Sequence, residues 1–187
     1  MDKYYMKPLI LVFLLMIAPV VAGLYGAMHD QISYTVSPEF FLKFRFPQFF
    51  GAALSNWTKP GNERIGAAII GFHNTWKVGV LLGIILGCAG FMHKDQKDMF
   101  RHTLQAYFVT MIIAFFSGLT GLLTGIYSTH HISSLPEGIS DPVSFKAVET
   151  MHNFSYMGGI AGMLIGVWWH LYKRRKKENP IINNRDC

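Results

Sequence analysis

Three histidines, His29, His73 and His152, fall in or beside three separate apolar stretches, each toward the end of its stretch that charge asymmetry places outward. Neutral imidazole is the commonest metal ligand, and histidines on facing helices can hold a haem iron. Glu149 stands three residues before His152, a spacing that puts both side chains on one helix face. Glu-x-x-His is the ligand spacing of di-iron and di-manganese bundles, but those sites need a second copy and further carboxylates. Only one copy occurs here, which argues against a dinuclear centre. A single transition metal or a haem held by His29, His73, Glu149 and His152 is the sharper reading. The plainer one is a set of hydrogen-bonded or interfacial histidines with a proton-relay role. Asp30 beside His29, and Glu149 beside His152, are placed to orient an imidazole by accepting its second N–H. His130 and His131 add capacity at the same end, whereas His93, His102 and His170 fall at the opposite end and read as interfacial.

His73 shares a helix face with Lys77, four residues on, and Asn74 and Thr75 add polar capacity nearby. Lys77 sits near the middle of its stretch, where an ammonium must pair, lose its proton or reach water. A polar path lined by Lys77 and His73, as in a small transporter, follows as one reading. The paired broken helices typical of such proteins are not legible. No nucleophile or phosphate-binding motif is present, which points away from an enzyme.

Positioning these groups requires helices. A bilayer core about 30 Å thick needs ~20 mostly apolar helical residues. Stretches 8–27, 66–91, 103–127 and 151–172 satisfy that need. With 51% hydrophobic residues and a mean hydropathy of +0.27, the chain suits one membrane domain rather than a soluble globule. The fold expected is all-α: an integral membrane bundle of four transmembrane helices, with outer loops 28–65 and 128–150 and a basic tail 173–187. The net charge of +6 is concentrated at span ends, Lys173 to Lys177 above all. Nucleic-acid binding is therefore not indicated. Counting Lys and Arg at span ends places both termini and the 92–102 loop in the cytoplasm. The first stretch has a basic start and the small-residue run Val20-Val21-Ala22-Gly23, which imitates a signal peptide. Its apolar run continues to Ala27, so it reads as a retained helix. Cys88 and Cys187 fall toward the cytoplasm and predict no disulfide.

Small residues recur every fourth position in each stretch: Ala18, Ala22 and Gly26; Gly79, Gly83 and Gly87; Ser117, Gly121 and Gly125; Gly158, Gly162 and Gly166. Four residues advance about 400° around a helix, so each set forms one seam. In lipid, close backbone approach across such seams drives helix packing within a chain or between copies. In the first loop, Ser37-Pro38-Glu39 reads as a helix start. The segment Phe40–Phe50 that follows holds six phenylalanines. It reads either as an interfacial segment on the outer leaflet or as a lid over the bundle's outer mouth.

The segments His29-Asp30-Gln31-Ile32-Ser33-Tyr34-Thr35-Val36-Ser37-Pro38-Glu39-Phe40 and His152-Asn153-Phe154-Ser155-Tyr156-Met157-Gly158-Gly159 resemble two blocks of a family of uncharacterised small bacterial multi-pass membrane proteins. The resemblance implies a bacterial inner-membrane setting and brings no activity, cofactor or catalytic residue. The leading expectation is a non-enzymatic accessory or assembly subunit of an envelope complex, contacting the bilayer and a membrane partner or a second copy. A metal- or haem-binding redox protein and a small transporter are the alternatives.

Overall fold

The structure is a computed structural model that describes residues 6–127, 135 and 138–178. His130, His131, Cys187 and the end of the basic tail lie outside the described residues. Every regular element among the described residues is helical. Four helices are long: α1 (Met6–Val36), α4 (Glu63–Gly90), α5 (Gln96–Tyr127) and α6 (Pro142–Glu178). Between α1 and α4 lie a π-helical segment (Phe40–Arg45) and two short helices, α2 (Phe46–Phe50) and α3 (Leu54–Trp57). Three helices, α1, α4 and α5, are long and apolar enough to cross a membrane. Their outward faces carry Leu, Val, Phe and Met, as lipid contact requires.

The long helices pack as two tight pairs, α1 with α4 and α5 with α6, and the pairs touch one another much less. The small-residue seams account for this. Gly79 lies against Ala18 and Ala22, so that a Cβ there would come within 2.7 Å of each. Gly83 faces Ala18, Gly87 faces Leu11, and Gly26 meets Gly71 backbone to backbone. In the second pair, Gly121 faces Thr150 and Phe154, Gly125 faces Ala147, Gly158 faces Ser117, and Gly162 faces Thr110. Gly166 instead reaches Leu86 and Ala106, joining the pairs near the lower end. Van der Waals contact across these seams is the main attraction available between helices in lipid.

α1 continues well past the stretch expected to end at Ala27, and α6 starts before the one expected at Met151. Polar residues in and beside both extensions bond within the protein. Ser33 donates to the His29 carbonyl, and the Asp141 carboxylate caps α6 by accepting the Ser144 N–H at 3.1 Å. At the C-terminal end of α1 Tyr34 donates to Glu63 at 2.8 Å and Gln31 to the Arg64 carbonyl at 2.7 Å, fastening α1 to the start of α4. The aromatic segment folds inward: Phe40, Phe41 and Phe46 are buried with Tyr34, Ile70, Phe145 and Val148 in one core cluster. A second cluster, built on Leu14, Leu86, Met99, Ala106 and Tyr107, fills the opposite half.

Candidate functional site

The extended turn of α1 carries His29 and Asp30 into the bundle, where α6 presents His152. All three are buried or nearly so, and one ligand-type atom from each lies within 4.8 Å of the others. Asp30 Oδ1 stands 3.0 Å from His152 Nε2 and 3.4 Å from His29 Nδ1. The two imidazoles meet edge to face, with centroids 4.9 Å apart at 81°. Phe40 stacks on His152 at 5.2 Å and covers the cluster from the segment that follows α1. On the inner side, Gly118 of α5 leaves room for His29, since a Cβ there would stand 3.4 Å from Nε2.

The hydrogen-bond accounting at His152 is informative. Its Nδ1 lies 2.8 Å from the Val148 carbonyl, which can only accept, so Nδ1 carries the proton. A neutral imidazole then turns the Nε2 lone pair toward the Asp30 carboxylate, itself only an acceptor when ionised. A positive centre, either a proton or a metal ion, belongs in that 3.0 Å gap. His29 Nε2 is buried and has no hydrogen-bond partner among the described residues. A buried ring nitrogen left without a partner costs about 1–3 kcal/mol.

Three further groups stiffen the site. Ser155 donates to the Ala114 carbonyl at 3.2 Å, which commits its one proton, so Tyr25 donates to Ser155 at 2.9 Å. This chain joins α1, α6 and α5 one turn below the cluster. A cavity of about 310 Å³ opens beside it, lined by residues of all four long helices, including His29, Asp30, His152 and Ser155.

The other residues expected at a histidine site are placed apart from it. His73 is exposed on α4, with its ring against Phe49 at 4.9 Å. The α4 residues that turn toward the cluster are Gly71, Asn74, Thr75 and Val78, on a different face from His73 and Lys77. Lys77 is exposed and forms no ion pair among the described residues. Glu149 pairs with Lys146 at 2.7 Å, which draws it away from His152 despite the shared helix face. Asp30, expected only to orient an imidazole, is instead the group the two histidines share.

The opposite end corrects a further expectation. His93 and His170, read as interfacial, are buried and bonded to each other at 3.0 Å, with His102 4.9 Å from His93 ring to ring. Lys7 caps the His93 carbonyl at 2.9 Å, and Lys177 pairs with Asp98 at 2.6 Å. These contacts shut that end, and burial holds the His93 imidazole below its ordinary pKa of 6.5.

The chain matches no protein-family model, no curated protein and no solved structure.

Proposed function

We propose that this is a bacterial inner-membrane protein of four spans that binds one divalent transition metal ion through His29, Asp30 and His152 near its outer face. The observation that carries the reading is the buried cluster itself: the Val148 carbonyl holds the His152 Nδ1 proton, so a positive centre, a proton or a metal ion, lies between Nε2 and Asp30. The two separations from Asp30 suit an ion. Metal–ligand bonds of about 2.0–2.2 Å place neighbouring ligands about 3.0–3.4 Å apart in tetrahedral or octahedral shells. The observed separations from Asp30 are 3.0 and 3.4 Å. Two imidazoles and one carboxylate form a donor set used by zinc and non-haem iron. Three protein ligands leave a coordination position open toward the cavity. Haem is the poorer fit, because rings 4.9 Å apart at 81° leave no slot for a porphyrin plane between them.

Metal analysis of the protein purified without chelators tests the reading. About one equivalent of a transition metal is expected, lost in His152→Ala and in Asp30→Asn and kept in His73→Ala. A protein without metal that fails to take up zinc, iron or manganese would sink it.

An accessory role beside a membrane partner is supported by one different observation, the exposed Lys77 midway along α4. The features first expected to make such contacts, the phenylalanines and the glycine seams, are largely occupied within the chain.

A further inference from the structure

The cavity beside the cluster is polar at one end and apolar along the rest. His29, Asp30 and His152 sit at its outer end, while Leu82, Met111 and Met163 line its deeper part. From His152 to Met163 along α6 is about 16 Å at 1.5 Å per residue, the length of a ring head with the start of a hydrocarbon tail. Its mouth is lateral: Leu81 on α4 and Ile160 on α6 line it, yet are 54% and 60% exposed on the flank of the bundle. A molecule dissolved in the bilayer can therefore enter between α4 and α6 without crossing water.

Gly159 shows that this space is not a packing fault. Gly158, Gly162 and Gly166 on the same helix each crowd a neighbour, but a Cβ at Gly159 would meet nothing within 4 Å. Gly159 lines the cavity. Its missing side chain keeps volume open that the helix seam does not require.

The chemistry of the lining selects the occupant. Among the described residues no Lys or Arg lines the cavity, so an anionic head group such as a fatty acid or phosphate finds no basic side chain to pair with there. Hydrogen-bonding groups are available in His29, His152, Ser155, Tyr25 and Asn74. We infer that the cavity binds an uncharged amphiphile whose ring head carries carbonyl or hydroxyl oxygens, the chemical class of isoprenoid quinones and quinols. The head lies against the His29–Asp30–His152 end, and the tail leaves between α4 and α6. This goes beyond the metal reading and needs no ion in the site.

Photo-labelling of the full chain in lipid nanodiscs, with an azido-benzoquinone bearing a short alkyl chain, tests it. Saturable labelling is expected on peptides containing Val78, Leu81 or Ile160, competed by the unmodified quinone and not by a fatty acid. Gly159→Phe should lower labelling by about tenfold or more, the equivalent of 1.4 kcal/mol in binding. Phe116→Leu, at an exposed position of α5 outside the cavity lining, should leave it unchanged. The competition arm stands even if Gly159→Phe fails to fold. Absent or unsaturable labelling, equal competition by fatty acid, or full labelling of a folded Gly159→Phe would overturn the inference. Metal content is read on the same samples. Labelling without metal refutes only the metal proposal, and metal without labelling refutes only this one.

Discussion

Lys77 carries a cost that its surroundings do not offset. It is the fifteenth of the 28 residues of α4, exposed, and without an ion-pair partner among the described residues. Translocon-based scales put a lysine at mid-span at about 2.5–3.5 kcal/mol, more than an average single substitution changes. If the face bearing Lys77 meets lipid alone, Lys77→Leu stabilises the protein in nanodiscs by about that amount. If a partner carboxylate meets it in the cell, Lys77→Leu also erases a cross-link formed from a photoreactive residue at Ile84, two turns along the same exposed stripe. The accessory reading requires the second result, and a cross-linking pattern blind to position 77 counts against it.

Individual residues also show where sequence reasoning stops. His29 was legible because it continues a helix face that a small-residue seam turns inward, and His152 because it falls at a similar depth in a separate apolar stretch. Asp30 was not legible, since consecutive helical residues point about 100° apart and its contact with His152 depends on how α1 and α6 sit together. Glu149 was misleading for a local reason: Lys146, one turn earlier, offers an ion pair at 2.7 Å that competes with any site contact. His73 lies about 100° from the centre of its own glycine seam, and spacing alone does not say toward which side. Facing Phe49 rather than the cavity is a tertiary outcome.

Among the elements, the segment between α1 and α4 illustrates one residue used differently from its local signal. Ser37 does accept the Phe40 N–H, at 3.4 Å, as a helix start should. Glu39, however, serves the start of α6: it accepts the Ser140 and Asp141 backbone N–H groups at 2.9 Å and pairs with Lys43 at 2.6 Å. Lys43 in turn donates to the Gly138 carbonyl. These contacts clip the phenylalanine-rich cover to the head of α6, directly above His152. The Lys43 ammonium first, and the Asp141 and Ser140 N–H groups next, hold the Glu39 carboxyl down at about 2. A depressed carboxyl stabilises the folded form above its ordinary pKa of 4.5 and loses that contribution as pH falls toward about 2. Hydrogen exchange of residues 38–46 should therefore stay slow at neutral pH and quicken, relative to the core of α5, only below about pH 4.5. Glu39→Gln should show the quickened exchange already at pH 7. Protection that is equal in the variant would mean the buried phenylalanines alone retain the cover.

At the scale of the whole molecule, the proposed four-span arrangement requires α6 to cross the membrane beside α1, α4 and α5. α6 is the longest helix at 37 residues, about 55 Å, yet its polar residues dilute the hydropathy that marks α1, α4 and α5. Those polar residues are used inward: His152 reaches Asp30, Ser155 reaches Ala114, and His170 reaches His93. Its glycine seam runs along α5, and the basic run Lys173 to Lys177 follows where a cytoplasmic anchor would stand. Its bonds run from Asp30 of α1 at one end to His93 and Asp98 at the other, along the length of the bundle. Paired cysteine labelling in a chain lacking Cys88 and Cys187 decides the matter. Val143→Cys should react with an impermeant maleimide in intact spheroplasts, and Arg175→Cys only after permeabilisation. The two positions lie 32 residues or about 48 Å apart along the helix, ample to span a core of about 30 Å. Labelling of both from one side would leave α6 outside the bilayer, and the site it shares with α1 could not then lie within the membrane.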